Sequence, residues 1–378
     1  MIRRQARKLL RAMGQGITTT QFYLHGRTHF TRNGWLEHSA SYPSPDPLEA
    51  VDITGRSYVV TGATRGIGKE ITSFLARKGG KVYMLCRNQE DAELARKDIM
   101  ESGNVAQDKL VIVACDVALE RDVRRVASDI SGLEPQGIDG LVCNAGTLLN
   151  ERTLTEEGLE VTFAGHFLIG AYLLSKLLRP SLHSAALAGR EPRVVMVSSG
   201  GMLNTAFPAW NVAASLPEDD GTIPAYDGQL AYAYAKRGQV LLCERLADFE
   251  AKNEESGKQI TYVSAHPGWT ATKGVADAYG EYQSWLEPMR SLWEGAEGIC
   301  WLCVAKASQL EPGAFYLDRQ PQVKHMSGGY FFTEGWFTKN TDEEVDAMLE
   351  KAEQKLDKST VSLVSDACVK LDAEYKGA

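Results

Sequence analysis

The sequence predicts an α/β fold, a doubly wound Rossmann-type parallel sheet of seven strands flanked by helices, with an extension at each chain end. From residue 57 onward, short β-branched runs alternate with longer segments of helical periodicity, which is the rhythm of βαβ units. The short runs are almost continuously apolar, as expected of strands that helices cover on both faces. A length of 378 residues suits one main core with additions at its ends.

The predicted elements follow one another in a regular order. Strands are expected at SYVVTG, KVYMLC, KLVIVACD, DGLVCN, RVVMVSS, ITYVSAH and GAFYLD. Helices are expected at Gly66–Lys78, Asp91–Glu101, Glu120–Ile130, Leu159–Leu178, Gln229–Glu250 and Glu294–Ala307. Three prolines within residues 42–47 indicate an extended linker.

Beyond Arg319 the chain is irregular until Thr341, which is expected to cap a charged helix with Glu344 as its capping-box partner. We therefore divide the chain into a basic N-terminal extension and linker (1–52), a dinucleotide-binding domain (53–320) and a C-terminal extension with a charged helix (321–378).

The charge is uneven along the chain. The formal net charge is −8, but the first forty residues carry +6, from seven Arg and Lys against Glu37, and the remainder carries −14. An acidic body repels the phosphate backbone of nucleic acid, so we expect no nucleic-acid partner. The basic start has three interpretations: a mitochondrial transit peptide, a surface helix that contacts anionic lipid, or a solvated terminus.

Cysteine usage and hydropathy bear on the compartment. No run of eighteen apolar residues occurs, so we expect no transmembrane segment and at most a peripheral membrane contact. Seven scattered cysteines indicate a reducing, intracellular compartment, either the cytoplasm or the mitochondrion. Cys300 and Cys303 form one C-x-x-C in an apolar run, which fits a buried helix face better than a metal or redox site, and we expect no metal. The oligomeric state stays open between a monomer and a homo-oligomer.

The turn after the first strand is glycine-rich and leads directly into a helix. Such a turn can hold a pyrophosphate against the helix N-terminus, although glycine also serves any tight turn. The spacing is G-x-x-x-G-x-G rather than the general G-x-G-x-x-G. The candidate cofactor-binding residues here are Gly62, Thr64, Arg65, Gly66, Ile67 and Gly68.

The end of the second strand predicts which cofactor binds. An NAD-binding domain places an acid there for the ribose 2′-hydroxyl, whereas this sequence places Arg87. A guanidinium suits a 2′-phosphate, and Arg65 can reach the same group from the glycine turn. We therefore expect NADP rather than NAD.

Polar and small residues follow the third and fourth strands. Asp116 and Val117 end the third strand, where the carboxylate can accept a hydrogen bond from an adenine amino group. Asn144, Ala145 and Gly146 end the fourth, at the edge where open α/β sheets bind ligands. Asp and Asn at these places could instead cap the following helices.

Three further segments reach the same sheet edge. Tyr232 and Lys236 lie at i and i+4 on one face of a predicted helix, and a cation near a phenol favours its ionised form. The fifth strand delivers Ser199, whose hydroxyl can bond a substrate oxygen. The sixth delivers Pro267, Gly268 and Thr272. These strand ends are expected to converge on one cleft.

Taken together, TGATRGIG, NAG, the serine after strand five, YxxxK and PGxxxT resemble the short-chain dehydrogenase/reductase family over about residues 53–320. The stretches TEEGLEVTFAGHF, SSGGM, YDGQLAYAYAKRGQV, HPGW and FYLDRQP look most like its retinol-dehydrogenase-like members. The resemblance implies hydride transfer between NADP(H) and the carbonyl or alcohol group of a small, lipophilic substrate. It implies that Ser199 polarises the carbonyl and Tyr232 is the acid-base group. It further implies that Lys236 binds the nicotinamide ribose and lowers the tyrosine pKa.

Two features depart from the family pattern. The family usually places an Asn in the central helix to hold a relay water; counting from the NAG motif, that position falls on His166, and in the N-x-x-G-x-F register it falls on Thr162. An imidazole can carry a proton or bind a relay water, so His166 is a candidate catalytic residue that is expected to titrate between about pH 5 and 8. The missing Asn also leaves open a catalytically weak NADP-binding protein that serves a partner or a membrane surface.

The second departure is an insert, about Leu203–Asp227, which could be a substrate flap or surface decoration.

Overall fold

The protein is described by a computed structural model that covers residues 2–217, 221–222, 225–255, 257–327 and 332–356. Its sheet has eight strands in the order β3-β2-β1-β4-β5-β6-β7-β8. The strands are β1 (Ser57–Thr61), β2 (Lys81–Cys86), β3 (Leu110–Ala114), β4 (Gly140–Cys143), β5 (Arg193–Val197), β6 (Thr261–Ala265), β7 (Phe315–Leu317) and β8 (Gln320–Pro321). The first seven run parallel and β8 pairs antiparallel with β7. The predicted fold class is confirmed, and the strand order reverses between the neighbouring strands β1 and β4, as in a doubly wound sheet.

The eighth strand was not predicted, because a two-residue turn creates it. Asp318 and Arg319 both have positive φ angles, 50° and 65°, which is the backbone of a tight hairpin turn. The turn folds Gln320 and Pro321 back along the sheet edge.

Helices cover both sheet faces. They are α1 (Ile2–His29), α2 (Arg32–Ser39), α3 (Pro47–Ala50), α4 (Gly66–Arg77), α5 (Gln89–Gly103), α6 (Glu120–Leu133), α7 (Val161–Phe163), a π-helical segment (Ala164–Leu173), α8 (Leu174–Leu187), α9 (Trp210–Ala213), α10 (Gly228–Asn253), α11 (Lys273–Tyr279), α12 (Leu292–Val304) and α13 (Asp342–Lys355). One apolar cluster joins the sheet to α4, α5 and α12, and another joins its opposite face to α6, α8, α10 and α13.

Successive side chains of β1 pack alternately into the two apolar clusters. Val59 packs into one cluster, while Tyr58 and Val60 pack into the other, because successive side chains of a strand point to opposite faces. All five β1 residues are buried. Fully burying a valine side chain stabilises the fold by roughly 1.5–3 kcal/mol.

The central helical run Val161–Leu187 is long and apolar enough to cross a membrane by length and composition. However, 83% of its most apolar window is buried inside the domain. Phe167, Leu168 and Leu178 on this run belong to the same core cluster as the sheet. Its hydropathy is therefore explained by packing between the sheet and neighbouring helices.

Part of the N-terminal extension is folded onto the domain. Thr18, Phe30 and Thr31 are 0%, 1% and 0% exposed, so residues 18–31 pack on the domain. The three interpretations of the basic start stay open, because the burial of its side chains lies outside what the structure describes. The residues predicted as an extended linker form turns that end in α3, where Asp46 accepts a hydrogen bond from Leu48 N at 2.9 Å.

The C-terminal helix and the insert also pack on the domain. Thr341 and Glu344 form the predicted capping box of α13, and Glu353 of that helix pairs with the buried Lys176 Nζ at 2.7 Å. In the insert, Phe207 is 5% exposed and its amide donates to Asn340 Oδ1 at 2.9 Å. Phe207 therefore anchors the start of the insert in the core, whereas Val212 of the same insert is 45% exposed. The acidic run at residues 218–220 lies outside the described residues.

Candidate active site

The glycine turn between β1 and α4 is built for close approach. Gly62 has φ +66°, and a Cβ there would lie 2.9 Å from Ala145 Cα. A Cβ at Gly68 would lie 2.2 Å from Gly62 O and 2.4 Å from Asn144 Nδ2. These glycines let the turn pack against the end of β4, and the first turn of α4, with Ile67 buried beneath it, presents its free N–H groups at the sheet edge.

Thr61 and Asn144 tie the first and fourth strand ends together. Thr61 Oγ1 accepts hydrogen bonds from the amides of Asn144 and Ala145 at 2.9 and 2.8 Å. The Asn144 side-chain amide donates to Thr61 O at 2.9 Å. The Asn144 side chain therefore fixes the glycine turn, a role that its sequence position did not reveal.

The predicted 2′-phosphate contacts lie at an accessible rim. Arg87 has 74% of its side chain exposed, and its Nη1 is 3.8 Å from Asp116 Oδ2. Arg65 is exposed at the N-cap of α4. Asp116 Oδ1 accepts from Ala118 N at 3.0 Å, whereas α6 begins at Glu120 with Leu119 as its N-cap. Asp116 therefore does not cap that helix, and its Oδ2 lies on the Arg87 side. An exposed ion pair at this distance holds Arg87 only weakly, and the guanidinium stays available to an anionic ligand.

The two serines after β5 have different surroundings. Ser198 is 2% exposed, and its hydroxyl donates to the carbonyl of Lys236 at 2.8 Å. Ser199 is half-buried, and its Oγ accepts from Gly201 N at 3.2 Å. Ser199 is therefore the more accessible of the two serines.

Tyr232 and Lys236 lie in the first turns of α10, which Asp227 caps by accepting from the amides of Gln229 and Leu230. The Lys236 Nζ is 5.6 Å from the centroid of the Tyr232 ring. Tyr232 is half-buried whereas Lys236 is 3% exposed. The helix therefore presents the phenol at the cleft with the amine behind it.

The Lys236 amine is held in a buried, weakly polar environment. Its Nζ donates to Val197 O, at the end of β5, at 2.6 Å. Burial lowers the pKa of Lys236 to about 7, with the nearby Cys143 opposing the shift. A lysine so placed changes charge near neutral pH, which is unusual for a structural residue and typical of catalytic sites.

His166 lies in the π-helical segment beside Tyr232, with ring centroids 5.2 Å apart in an edge-on arrangement. Its Nε2 is 2.7 Å from Thr147 N and 2.9 Å from Thr147 O. Burial, reinforced by the Lys236 charge, lowers the pKa of His166 well below 6.5 although the Thr147 contact opposes the shift. The expectation that His166 titrates between pH 5 and 8 is therefore wrong, since a buried imidazole stays neutral.

The other register places Thr162 one helical turn earlier. Its amide donates to Glu160 Oε1 at 2.9 Å, and the same carboxylate accepts from the Tyr226 hydroxyl at 3.1 Å. His166, not Thr162, has the reported ring contact with Tyr232. This contact favours the register that counts from the NAG motif and selects His166.

Gln239 is a site residue that the sequence did not indicate. Its Nε2 donates to the main-chain carbonyl of His166 at 2.8 Å, and Gln239 is 1% exposed. It stands three residues after Lys236 on α10, but a glutamine in an apolar helix carries no signal of its own. Its amide uses one of the two acceptor positions of the His166 carbonyl.

The Pro-Gly segment after β6 closes the other side of the cleft. The hydroxyl of Thr270 donates to Pro267 O at 2.8 Å, and Thr272 Oγ1 accepts from Val275 N at 3.2 Å as the N-cap of α11. A Cβ at Gly66 would meet only Thr272 Cγ2, at 3.9 Å. Thr272 therefore stands over the glycine turn with room between them, and these residues fit a dinucleotide laid across the sheet edge.

Comparison with known proteins agrees with this geometry. Residues 56–214 match the family model of short chain dehydrogenase. The chain is 34% identical over 308 residues to dehydrogenase/reductase SDR family member 12 of Bos taurus, covering 81% of this chain and 89% of that protein. It is 30% identical over 281 residues to retinol dehydrogenase 13 of Mus musculus, covering 74% and 76%.

Among solved structures, a short chain dehydrogenase from Salmonella enterica serovar Typhi has the same fold, with a TM-score of 0.53 at 21% identity over 71% of this chain and 97% of that one. The resemblance predicted from the motifs is confirmed. The chain belongs to the short-chain dehydrogenase/reductase family and carries the fold of an NAD(P)-dependent oxidoreductase.

Proposed function

We propose that the protein transfers a hydride between NADP(H) and a lipophilic carbonyl/alcohol pair. The observation that carries this proposal is the grouping of Ser199, Tyr232 and Lys236 at the carboxyl end of β5, with the Lys236 pKa lowered to about 7. A buried amine beside a half-buried phenol is an arrangement for proton transfer at neutral pH.

The cofactor would lie along residues of this chain that already face the cleft. The turn Gly62–Gly68 would hold the pyrophosphate, Arg65 and Arg87 the 2′-phosphate, and Asp116 with Val117 the adenine. The nicotinamide end would lie against the last cofactor-binding candidates, Asn144, Ala145, Gly146, Lys236, Pro267, Gly268 and Thr272. NADP(H), when bound, supplies or accepts the hydride.

The protein's own residues handle the substrate oxygen and its proton. Ser199 Oγ and the Tyr232 hydroxyl would hold the carbonyl oxygen, and Tyr232 would donate its proton as that oxygen becomes an alcohol. Protonated Lys236 stabilises the phenolate left on Tyr232. His166, neutral and fixed on Thr147, would position the loop after β4 and the Tyr232 ring rather than carry a proton.

Two observations support NADP and a lipophilic substrate. Arg87 and Arg65 are exposed where an NAD-binding domain needs an acid. Trp269, directly after the Pro-Gly turn, is half-buried and packs in an aromatic group, and a relative at 30% identity is a retinol dehydrogenase.

We place the protein inside the cell, because the six described cysteines are free and buried.

A second candidate is a catalytically weak NADP-binding protein that acts through a partner or a membrane surface. The contact of Gln239 Nε2 with the His166 carbonyl at 2.8 Å favours it, because the contact uses one of the two acceptor positions of that carbonyl and neither His166 nor Thr162 is the Asn of the family pattern. Proton supply to Lys236 would then be slow.

Turnover of NADPH with a panel of aldehydes and ketones separates the two candidates. We expect reduction by the unaltered protein and a fall of at least ~10²-fold for Tyr232→Phe with NADP binding retained. Tight NADP binding without turnover of any panel member supports the second candidate instead. Equal turnover by Tyr232→Phe would show that Tyr232 is not the acid-base group.

A further inference from the structure

An aromatic cluster joins the N-terminal helix to the Pro-Gly segment of the active site. The centroids of Phe22, Tyr23 and Phe30 lie 6.3, 5.9 and 6.0 Å from that of Trp269. Phe22, Tyr23 and Trp269 are half-buried, whereas Phe30 is 1% exposed. The cluster thus has a buried base and three rings with accessible area.

Trp269 lies directly on the backbone of α1. A Cβ at Gly26 would be 2.4 Å from Trp269 Cζ2 and 2.8 Å from its Cη2, so any side chain there would displace the indole. Trp269 directly follows Pro267 and Gly268 in the sequence. Its contact with helix α1 therefore fixes the end of the Pro-Gly turn.

A buried arginine locks this junction. The amide of Trp269 donates to Phe30 O at 2.7 Å. Arg290, which is 0% exposed, donates to Phe30 O at 2.9 Å and to His29 O at 2.8 Å, and its Nη2 bonds Asp318 Oδ2 at 2.7 Å. The end of α1 is therefore bound to the sheet edge by hydrogen bonds to a charged, fully buried group, which are among the stronger kinds.

The same cluster reaches the loop that carries the catalytic serine. Gly200 directly follows Ser199, and a Cβ at Gly200 would lie 3.1 Å from Phe22 Cε2 and 3.3 Å from Phe30 Cε2. One aromatic group therefore contacts both loops that flank the reacting centre.

The chemical character of the cluster is apolar. The hydroxyl of Tyr23 donates to Trp285 O at 3.2 Å, so its polar end is already bonded and its ring presents hydrocarbon. The rings of Phe22, Tyr23 and Phe30 therefore present hydrocarbon, which suits the apolar part of a ligand.

We propose that helix α1 forms a wall of the substrate site, in which Phe22 and Tyr23, with Trp269 held against Gly26, determine specificity for the apolar chain of a carbonyl substrate. This inference rests on the proposed function, because it places the carbonyl at Ser199 and Tyr232. It assigns a specificity role to the N-terminal extension.

The test compares decanal and butanal with NADPH in the full-length protein. Phe22→Ala should raise KM for decanal by about 5-fold or more and leave butanal within about 2-fold, because only the longer chain reaches the wall. Gly26→Ala, which displaces Trp269, should change the ratio of kcat/KM for the two aldehydes in the same direction. Leu24→Ala is the matched control, since Leu24 lies on the same helix with 63% exposure, and it should leave the ratio unchanged.

Equal losses for both aldehydes, or an unchanged ratio in Phe22→Ala and Gly26→Ala, would overturn the proposal, because a purely structural role does not discriminate by chain length. A binding arm separates this inference from the proposed function. If neither aldehyde turns over, the proposed function fails. The proposal about helix α1 is still supported if calorimetry shows that decan-1-ol binds the NADP-loaded protein and that Phe22→Ala weakens this binding about 5-fold while Leu24→Ala does not. Without turnover, absent or unaltered decan-1-ol binding refutes it.

Discussion

Lys236 makes the stability of this protein depend on pH in a way that can be calculated. Its pKa is about 7 in the folded chain because the amine is buried, against 10.5 for an ordinary lysine. The folded state therefore prefers the neutral amine and the unfolded state the charged one. Below pH 7 the folded state carries the full cost of a buried charge, and that cost is released as the pH rises from 7 toward 10.5.

The magnitude follows from the two pKa values. A lowering from 10.5 to about 7 corresponds to about 5 kcal/mol, gained at about 1.4 kcal/mol for each pH unit. Lys236→Met removes the titrating group and keeps the apolar stem. We expect the free energy of unfolding of the variant to exceed that of the unaltered protein most at pH 7, with the excess shrinking steadily toward pH 10.

Denaturant unfolding at several pH values between 7 and 10 measures this difference. Loss of the hydrogen bond from Lys236 Nζ to Val197 O adds an offset that does not depend on pH, so only the slope is diagnostic. Lys97→Met is the control, because 72% of the Lys97 side chain is exposed, and it should show no slope. A pH-independent difference for Lys236→Met would refute the assignment of a buried, near-neutral amine.

Three further changes test other parts of the site. Arg87→Asp should weaken NADP binding by ~1.5–3 kcal/mol and spare NAD, as measured by calorimetry; tighter binding of NAD than NADP by the unaltered protein would contradict the cofactor assignment. His166→Asn should keep turnover and leave the rate profile between pH 5 and 8 unchanged, because the pKa of His166 is well below 6.5; a lost limb in that range would mean that the imidazole titrates there. Arg290→Met leaves the 3%-exposed Asp318 carboxylate without its arginine and should lower the free energy of unfolding by ~3–5 kcal/mol, partly restored by adding Asp318→Asn; no loss in denaturant unfolding would remove Arg290 as the lock.

The sequence predicted the sheet and much of the site because their signals are local. The continuous apolar runs mark strands buried on both faces, and the Thr341 capping box can be read from residues three apart. Ser199, Tyr232 and Lys236 became the candidate residues because each stands at a predicted strand end or helix start.

Contacts between distant segments could not be predicted in this way. Arg290 bonds the carbonyls of His29 and Phe30 from about 260 positions away, and nothing near it in the sequence marks a lock. Likewise, the neutral state of His166 depends on burial in the folded core. Residue type alone pointed to a titrating group.

Hydride transfer is measured most directly with NADPH that carries deuterium at both hydrogens of nicotinamide C4, with an aldehyde as the acceptor. We expect mass spectrometry to find one deuterium in the alcohol formed from decanal by the unaltered protein, and at least ~10²-fold less product from Tyr232→Phe at equal NADP occupancy. Deuterium-free alcohol, no alcohol from any aldehyde or ketone tested, or full transfer by Tyr232→Phe would contradict it.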